Sequence, residues 1–320
     1  MTDKTDKAPG GNPPRGTGTA SAAAAGGAPH AIKAVPVRHY GRWISAVLVI
    51  AVLVLIGIAF SNANINYGII PDYLTDGTIL SGAWHTLYIS VLAMVVGLVL
   101  GVVLAIMRMS DNPVTSTVGW LYVWLFRGTP VYVQLLIWYN LALIFPVLNL
   151  GFYKDEMNQV MTPFLAALLG LGLNEAAYMS EIVRAGIQSV DEGQTEASHA
   201  LGMSKGQTLR RVVLPQAMRV IVPPTGNEFI NMLKTSSLAY AVQFNELLKR
   251  ANDISSTTLA VMEMLFVASV WYLILTTVFS VGQYYLERRY ARGSTRNLPP
   301  TPWQRLRANL TSFRRPEVAR

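Results

Sequence analysis

The chain has 320 residues and no cysteine, and 14% of its residues are charged against 52% that are hydrophobic. A soluble protein carries about 25% charged residues, so this composition indicates a chain whose surface faces lipid. The lack of cysteine excludes disulfide frameworks, thiol catalysis and cysteine-ligated metals. The net charge of +8 fits either nucleic acid or a membrane surface as partner, and the positions of the basic residues decide between them.

The first segment, residues 1–42, is rich in Gly, Pro, Ala and Thr and has no large apolar residue between positions 16 and 28. Such a segment cannot bury enough surface to fold, so we predict a disordered tail. Residues 43–60 follow without a charge, which is long enough for a membrane-spanning helix. A cleaved signal peptide has a short charged start, whereas 42 residues precede this run. We therefore predict a retained span.

Five further spans are predicted from apolar runs at 82–107, 118–147, 161–184, 220–243 and 259–286. Within the run at 118–147, Pro130 is expected to bend the helix. The run at 220–243 is the weakest because Glu228 and Lys234 interrupt it. The prediction is an all-α polytopic membrane protein with six spans.

The basic residues indicate the orientation of these spans. Of the 26 Lys and Arg, six lie in residues 1–42 and nine follow Leu286. Segment 187–219 contains four more between its positions 205 and 219, whereas the loops at 61–81 and 148–160 contain only Lys154. The positive-inside rule then predicts that both termini and segment 187–219 are cytoplasmic.

The same distribution bears on the partners of the chain. No basic patch with interleaved aromatic residues occurs in a segment predicted to fold, so the sequence argues against a nucleic-acid partner. The basic C-terminal tail, 287–320, has a composition that suits contact with anionic membrane lipid, although a solvated tail is the simpler interpretation.

Segment 191–219 has the helix signals of a docking element. Asp191 and Glu192 suit a helix N-terminus, Gly202 suits the stop after it, and Ser204 and Gln207 have capping-box spacing for a second helix. Two short helices joined by a glycine turn in a loop between spans predict a surface that binds a cytoplasmic partner.

A phosphate-binding loop is not present here, since Lys205 precedes Gly206 and no strand comes before it. Any energy from ATP must therefore come from another subunit.

This segment resembles the EAA signature of ABC-importer membrane subunits. The matching residues are Glu196-Ala197-Ser198, Gly202 and Val212-x-Leu214-Pro215, with Ser and Val where the signature has Ala and Ile. Other segments narrow the resemblance to permeases for polar amino acids such as histidine, glutamine, arginine and glutamate. They are Arg127-Gly-Thr-Pro130, Val133-Gln134, Ala177-Tyr178 with Glu181 and Arg184, Gly193-Gln194, Leu214-Pro215-Gln216-Ala217 and Leu233 to Leu238. The resemblance covers about residues 80–286.

The resemblance implies a type I ABC-importer permease fold, with a five-helix core at 80–286 and one extra N-terminal transmembrane helix at 43–60. It implies a bacterial inner membrane location and three kinds of partner: ABC ATPase subunits that bind the ATP, a second permease subunit that is identical or related, and an extracytoplasmic amino-acid-binding protein. The chain itself would have no catalytic site, cofactor or metal. Coupling to the ATPase would rest on Glu196, Ala197, Ser198, Gly202, Leu214 and Pro215 within segment 187–219.

Ionisable and polar residues in the spans give the candidates for the substrate path, because such groups are costly in lipid. These candidates are Gln134, Asn174, Glu175 and Tyr178. Asn174, Tyr178 and Glu181 share one helical face, and Glu175 could instead form an interhelical hydrogen bond. Arg127, Glu181 and Arg184 are interpreted as structural charges, with Glu181 and Arg184 paired at i, i+3.

Two other classes of function are considered. A secondary amino-acid transporter or channel without ATP would need coupling-ion acids and internal repeats, and the sequence shows neither clearly. A membrane enzyme would need a catalytic pattern, and the four histidines at 30, 39, 85 and 199 form none. The sequence does not identify which amino acid is carried.

Overall fold

The computed structural model of the protein describes residues 40–290, together with residues 304, 307 and 308. The predicted disordered tail up to residue 39 and nearly all of the predicted basic tail after residue 290 lie outside these residues. The described chain divides into two compact units, which separate between Ala63 and Asn64.

The first unit contains a single described helix, α1 (Tyr40–Ser61). Its sequence from Trp43 to Ser61 is long and apolar enough to cross a membrane, and the described side chains of this helix are exposed. A helix is therefore present where the sequence predicted the extra N-terminal span, with boundaries a few residues wider.

The second unit is built almost entirely of helices. These are α2 (Ile70–Leu74), α3 (Gly77–Arg108), α4 (Pro113–Gly128), α5 (Val131–Tyr139), α6 (Met157–Val160), α7 (Pro163–Gln188), α8 (Glu192–Ala200), α9 (Lys205–Thr208), α10 (Leu214–Thr235), α11 (Leu247–Thr258) and α12 (Val261–Tyr290). Of these, α3 and α12 are long and apolar enough to cross a membrane by length and composition alone.

Short irregular elements connect the helices. They are 3₁₀ turns at Tyr67–Ile69, Leu141–Leu143 and Ser236–Val242, a π-helical stretch at Leu209–Val213, and the antiparallel strands β1 (Val147–Asn149) and β2 (Lys154–Glu156). In this hairpin Leu148 lies opposite Asp155.

The predicted single span at 118–147 is wrong in its continuity. The chain forms two helices, α4 and α5, and the helix does not continue beyond Tyr139. Pro130 has no N–H to donate and disfavours the helical conformation of Thr129 before it. Thr129 is accordingly extended, with ψ of 143°, so the proline breaks the helix and does not merely bend it.

Helices α3 and α7 form the centre of the second unit. They approach closely because Gly97 and Gly101, four residues apart on α3, face Glu175 and Met179 on α7. A Cβ atom added at either glycine would overlap these side chains. Small residues at i and i+4 let two helices approach in a membrane, where packing rather than the hydrophobic effect drives association.

Two buried acids fix the ends of α11 and α12. Glu246 is the N-cap of α11, where its carboxylate accepts hydrogen bonds from the N–H groups of Leu248 (2.8 Å) and Lys249 (2.7 Å) and from the Tyr272 hydroxyl (2.6 Å). Glu263 in the first turn of α12 accepts a hydrogen bond from the Asn66 N–H at 2.7 Å. Buried carboxylates persist when such donors satisfy them, so both acids have structural partners.

Candidate functional site: the docking segment and a polar cavity

The loop between α7 and α10 folds as the helix signals predicted. Asp191 caps α8 by accepting a hydrogen bond from the Gly193 N–H at 2.8 Å. The helix ends in a Schellman motif, in which Gly202 and Met203 donate to the carbonyls of His199 (2.9 Å) and Ser198 (3.1 Å). Gly202 has a φ of +79°, a conformation that only glycine adopts at low cost.

A second capping motif begins the next helix. Ser204 and Gln207 form a reciprocal capping box at the start of α9, in agreement with their spacing. The π-helical stretch then leads directly into α10, which begins at Leu214 with Pro215 in its first turn. The segment therefore consists of α8, the turn at Gly202 and α9. Helix α9 continues through the π-helical stretch into the long helix α10.

The residues of the EAA-like motif divide into an exposed and a buried set. Glu196 and Ala197 are exposed on α8, whereas Ser198 is buried. The Ser198 hydroxyl donates to the Gln194 carbonyl at 2.7 Å, which explains how serine is accepted at a buried position. Leu214 and Pro215 are both exposed. The exposed side of α8 is thus free to contact a second protein.

The break between α4 and α5 is held by Gln134 and Asn174. Gln134 Nε2 donates to the Phe126 carbonyl at 2.9 Å and to Thr129 Oγ1 at 2.7 Å. Asn174 Nδ2 on α7 donates to the same Phe126 carbonyl at 2.9 Å and to Gln134 Oε1 at 3.2 Å. Carbonyls freed by a helix break need such partners where water is absent.

A polar cavity of about 940 Å³ lies beside this break, between α5, α7 and α10. Three of the four predicted substrate-path residues, Asn174, Glu175 and Tyr178, line it, but Gln134 does not. Gln134 is buried and engaged by the broken helix. The other polar lining residues are Arg127, Thr129, Glu228, Asn231, Lys234, Thr235 and Ser237.

The acids of this cavity differ in their hydrogen bonding. Glu175 is 5% exposed, and among the described residues its Oε1 has no hydrogen-bond partner. Glu228 on α10 lines the same cavity. Buried polar atoms without partners are rare, so the free oxygen of Glu175 is the feature of the cavity most in need of a donor.

Three arginines converge on Glu181 next to the cavity. Arg184 Nη2 lies 2.7 Å from Glu181 Oε2, so the predicted i, i+3 pair is formed. Arg108 on α3 lies 2.5 Å from Glu181 Oε1. Arg127 is 3.5 Å from the same oxygen, and its guanidinium lies 5.1 Å from the centre of the Tyr178 ring, within cation–π range.

Several of these contacts were not predicted from the sequence. The sequence assigns no role to Arg108, because its partner Glu181 lies 73 positions away. Asn231 also lines the cavity, and an asparagine within an apolar run is a sequence signal that would have found it. Among the described residues, no group of three or more His, Asp or Glu is placed to bind a metal.

Comparisons with known proteins agree with this architecture. The family model "Binding-protein-dependent transport system inner membrane component" matches residues 97–292. The arginine transport system permease protein ArgU of Corynebacterium glutamicum is 50% identical over 273 residues, which cover 84% of this chain and 86% of that protein. The histidine/lysine/arginine/ornithine transport system permease protein HisM of Escherichia coli is 36% identical, over 65% of this chain and 87% of its own length.

A solved structure shows the same fold. A crystal structure of an amino acid ABC transporter with histidines superimposes with a TM-score of 0.62 and 35% sequence identity. The match covers 71% of this chain and all of that chain. The all-α polytopic architecture and the type I permease fold are thereby confirmed.

Proposed function

Because the chain belongs to the family of binding-protein-dependent inner-membrane transport components and is a permease subunit of an amino-acid ABC importer, we propose that it moves a cationic amino acid into the cytoplasm. The polar cavity between α5, α7 and α10 would be the substrate site. It would open alternately to the two sides of the membrane, as midplane sites of transporters do.

The unpartnered carboxylate oxygen of Glu175 carries this proposal. The cavity contains two acids, Glu175 and Glu228, and two bases, Arg127 and Lys234. An amino acid bears charges of both signs, so a cavity with both kinds of group suits it. Arg127 is already held near Glu181, whereas Glu175 Oε1 lacks a donor, which favours a substrate that brings an additional positive charge. The permease protein ArgU, half identical to this chain, is an arginine transporter subunit by name.

ATP hydrolysis by the partner ATPase would be coupled to this site through segment 187–219. We infer that α8 binds a groove of a separate ABC ATPase, with Glu196 and Ala197 at the contact and Gly202 providing the turn behind it. The rigid continuation from α9 through the π-helical stretch into α10 supports this, because α10 also carries the cavity residues Glu228 and Lys234. Movement of α8 would therefore be transmitted to the cavity.

The remaining features of the proposal are the orientation of the chain in the membrane and its partners. The positive-inside distribution supports cytoplasmic termini and a cytoplasmic segment 187–219. A second permease subunit, identical or related, would close the translocation path, and an extracytoplasmic binding protein would deliver the amino acid. ATP would be bound by the ATPase, so this chain would need no cofactor.

Uptake of radiolabelled arginine tests the proposal, with the chain reconstituted in liposomes together with its ATPase and binding protein. Uptake is expected only with ATP on the ATPase side, and lysine is expected to compete better than glutamine or glutamate. Uptake driven by an ion gradient without ATP would support the secondary-transporter alternative. Preferential uptake of glutamate would refute a cationic substrate.

A further inference from the structure

A long apolar groove runs along the outside of the helical unit, with a volume of about 1210 Å³. It lies between α3 and α12, and α10 forms much of its floor. Its walls include Met94 and Val102 on α3, Phe229 on α10 and Phe279 on α12. The polar groups along it are already satisfied, since Gln283 Nε2 donates to the Pro223 carbonyl at 2.8 Å and Thr225 Oγ1 to the Ile221 carbonyl at 2.8 Å.

The groove lies on a different side of α7 from the polar cavity. Tyr178 lines the cavity and Val183 lines the groove. Five residues rotate about 140° around a helix of 3.6 residues per turn. In the proposed assembly a second permease subunit covers the polar cavity, and the groove lies on another side of α7.

The groove is longer than one leaflet of a bilayer but shorter than the whole hydrocarbon core. On α3 its lining extends from Met94 to Met109, and fifteen residues of helix rise about 22 Å. The hydrocarbon core of a bilayer is about 30 Å thick, so a groove that begins at one surface extends about 7 Å past the midplane. Its mouth is at the end of the unit where α9 begins.

The mouth of the groove carries basic residues. Lys205, Leu209 and Leu286 line it. Arg289 follows Leu286 by three positions and therefore projects from the same face of α12. Two acids follow lining residues at this end: Glu287 accepts a hydrogen bond from Gln283 Nε2 at 3.0 Å, and Asp111, next to Ser110, is exposed. The mouth thus offers positive charge at the level of a membrane surface.

We propose that this groove binds one anionic phospholipid, with an acyl chain between Val102 and Phe229 and the phosphate at Lys205. Packing of the acyl chain against the groove walls holds the lipid, since the hydrophobic effect does not distinguish the groove from the surrounding bilayer, and the basic residues at the mouth select an anionic headgroup over a zwitterionic one. The site is separate from the polar cavity and needs no residue of it.

A lipid in the groove would contact the segment that is proposed to couple the ATPase to the substrate cavity. Lys205 begins α9 and Leu209 begins the π-helical stretch that joins α8 to α10. A lipid in the groove contacts both residues and the floor of α10, and thus bridges the docking segment and the long helix that follows it. Anionic lipid is therefore expected to change ATP turnover by the assembled transporter.

Native mass spectrometry of the assembled transporter with added dioleoyl-phosphatidylglycerol or dioleoyl-phosphatidylcholine tests the site. One phosphatidylglycerol per chain is expected to be retained in preference to phosphatidylcholine. Val102→Trp, which fills the groove, is expected to abolish this retention. Val99→Trp, an equal change at an exposed α3 position outside the groove, is expected to leave it intact.

A charge variant tests the headgroup contact. Lys205→Gln is expected to lower the preference for phosphatidylglycerol about fivefold, which corresponds to one basic residue at an anionic surface. Lys154→Gln, on strand β2 of the hairpin, is expected to have no effect. Equal retention in Val102→Trp and Val99→Trp would overturn the proposal. So would dissociation of the permease pair by Val102→Trp, because the groove would then be a protein interface.

Discussion

Asn174 Nδ2 on α7 donates a hydrogen bond to Gln134 Oε1 on α5 at 3.2 Å, and both side chains donate to the Phe126 carbonyl at 2.9 Å. One carbonyl at the end of α4 thus connects three helices. The two amides supply the donors that a helix broken at Pro130 loses. This is the physical reason that a discontinuous helix can border a cavity at membrane depth.

Gln134→Leu is expected to destabilise the protein by about 1–3 kcal/mol, because Thr129 loses the Gln134 donor, the Phe126 carbonyl loses one of its two donors, and Asn174 Nδ2 loses an acceptor in a buried site. Thermal unfolding of the purified permease in detergent measures this. The double variant with Asn174→Leu is expected to cost less than the sum of the single variants, since the hydrogen bond between the two amides is already lost in either single variant. Strict additivity would show that the two amides act independently.

Glu181→Ala is expected to be among the most destabilising changes at this end of the helices. It leaves Arg108, whose side chain is 14% exposed, and Arg184 without their acid. The expected loss is about 2–3 kcal/mol, below the full cost of breaking a buried pair because Glu181 is itself 24% exposed. Asp253→Ala, which breaks the more exposed i, i+4 pair with Lys249, is the matched control and is expected to cost about 0.5 kcal/mol.

Glu175→Gln is expected to lower ATP-dependent arginine uptake at least about tenfold, because a charge–charge contact in low dielectric is exchanged for a neutral hydrogen bond. Uptake in proteoliposomes and the ATPase activity stimulated by the loaded binding protein are the measurements. Gln retains the shape of the side chain and is expected to leave the unfolding temperature nearly unchanged. Unaltered uptake of arginine, glutamine and glutamate would remove Glu175 from the substrate site.

Glu196→Lys is expected to weaken binding of the ATPase and to lower ATP-driven uptake. The side chain is exposed on α8, so the fold should tolerate the reversal, and the measured loss should appear in co-purification of the ATPase and in uptake. Asp111→Lys makes the same charge change at an exposed position between α3 and α4. This control is expected to retain both co-purification of the ATPase and uptake. Normal association and uptake in Glu196→Lys would refute the proposed ATPase contact.

Local features of the fold were predictable because they depend on neighbouring residues. The apolar runs located α1, α3, α7 and α12 to within a few residues, since lipid requires long apolar helices with internal hydrogen bonds. The Gly202 turn and the Ser204–Gln207 capping box form as their spacing predicted. The Glu181–Arg184 pair also forms, because i, i+3 side chains on a helix are neighbours wherever the helix lies.

Features that depend on a second helix were not predictable from a single sequence. The sequence predicts a bend at Pro130, because the amides that stabilise a full break come partly from α7. Gln134 is a candidate for the substrate path from the sequence, and the structure places it beside Phe126 and outside the residues that line the polar cavity. Arg108 gained its role only through Glu181, which is 73 positions away.

The sequence by itself therefore determined the class of protein, its apolar helices and the helix–turn–helix segment at 191–208, because hydrophobic length and capping chemistry are local properties. The tertiary structure decided which polar groups meet: that Glu175 and Glu228 face one cavity, that three arginines converge on Glu181, and that an apolar groove remains on the other side. These outcomes follow from the rotation and close approach of α3, α7 and α10, which glycines such as Gly97 and Gly101 permit.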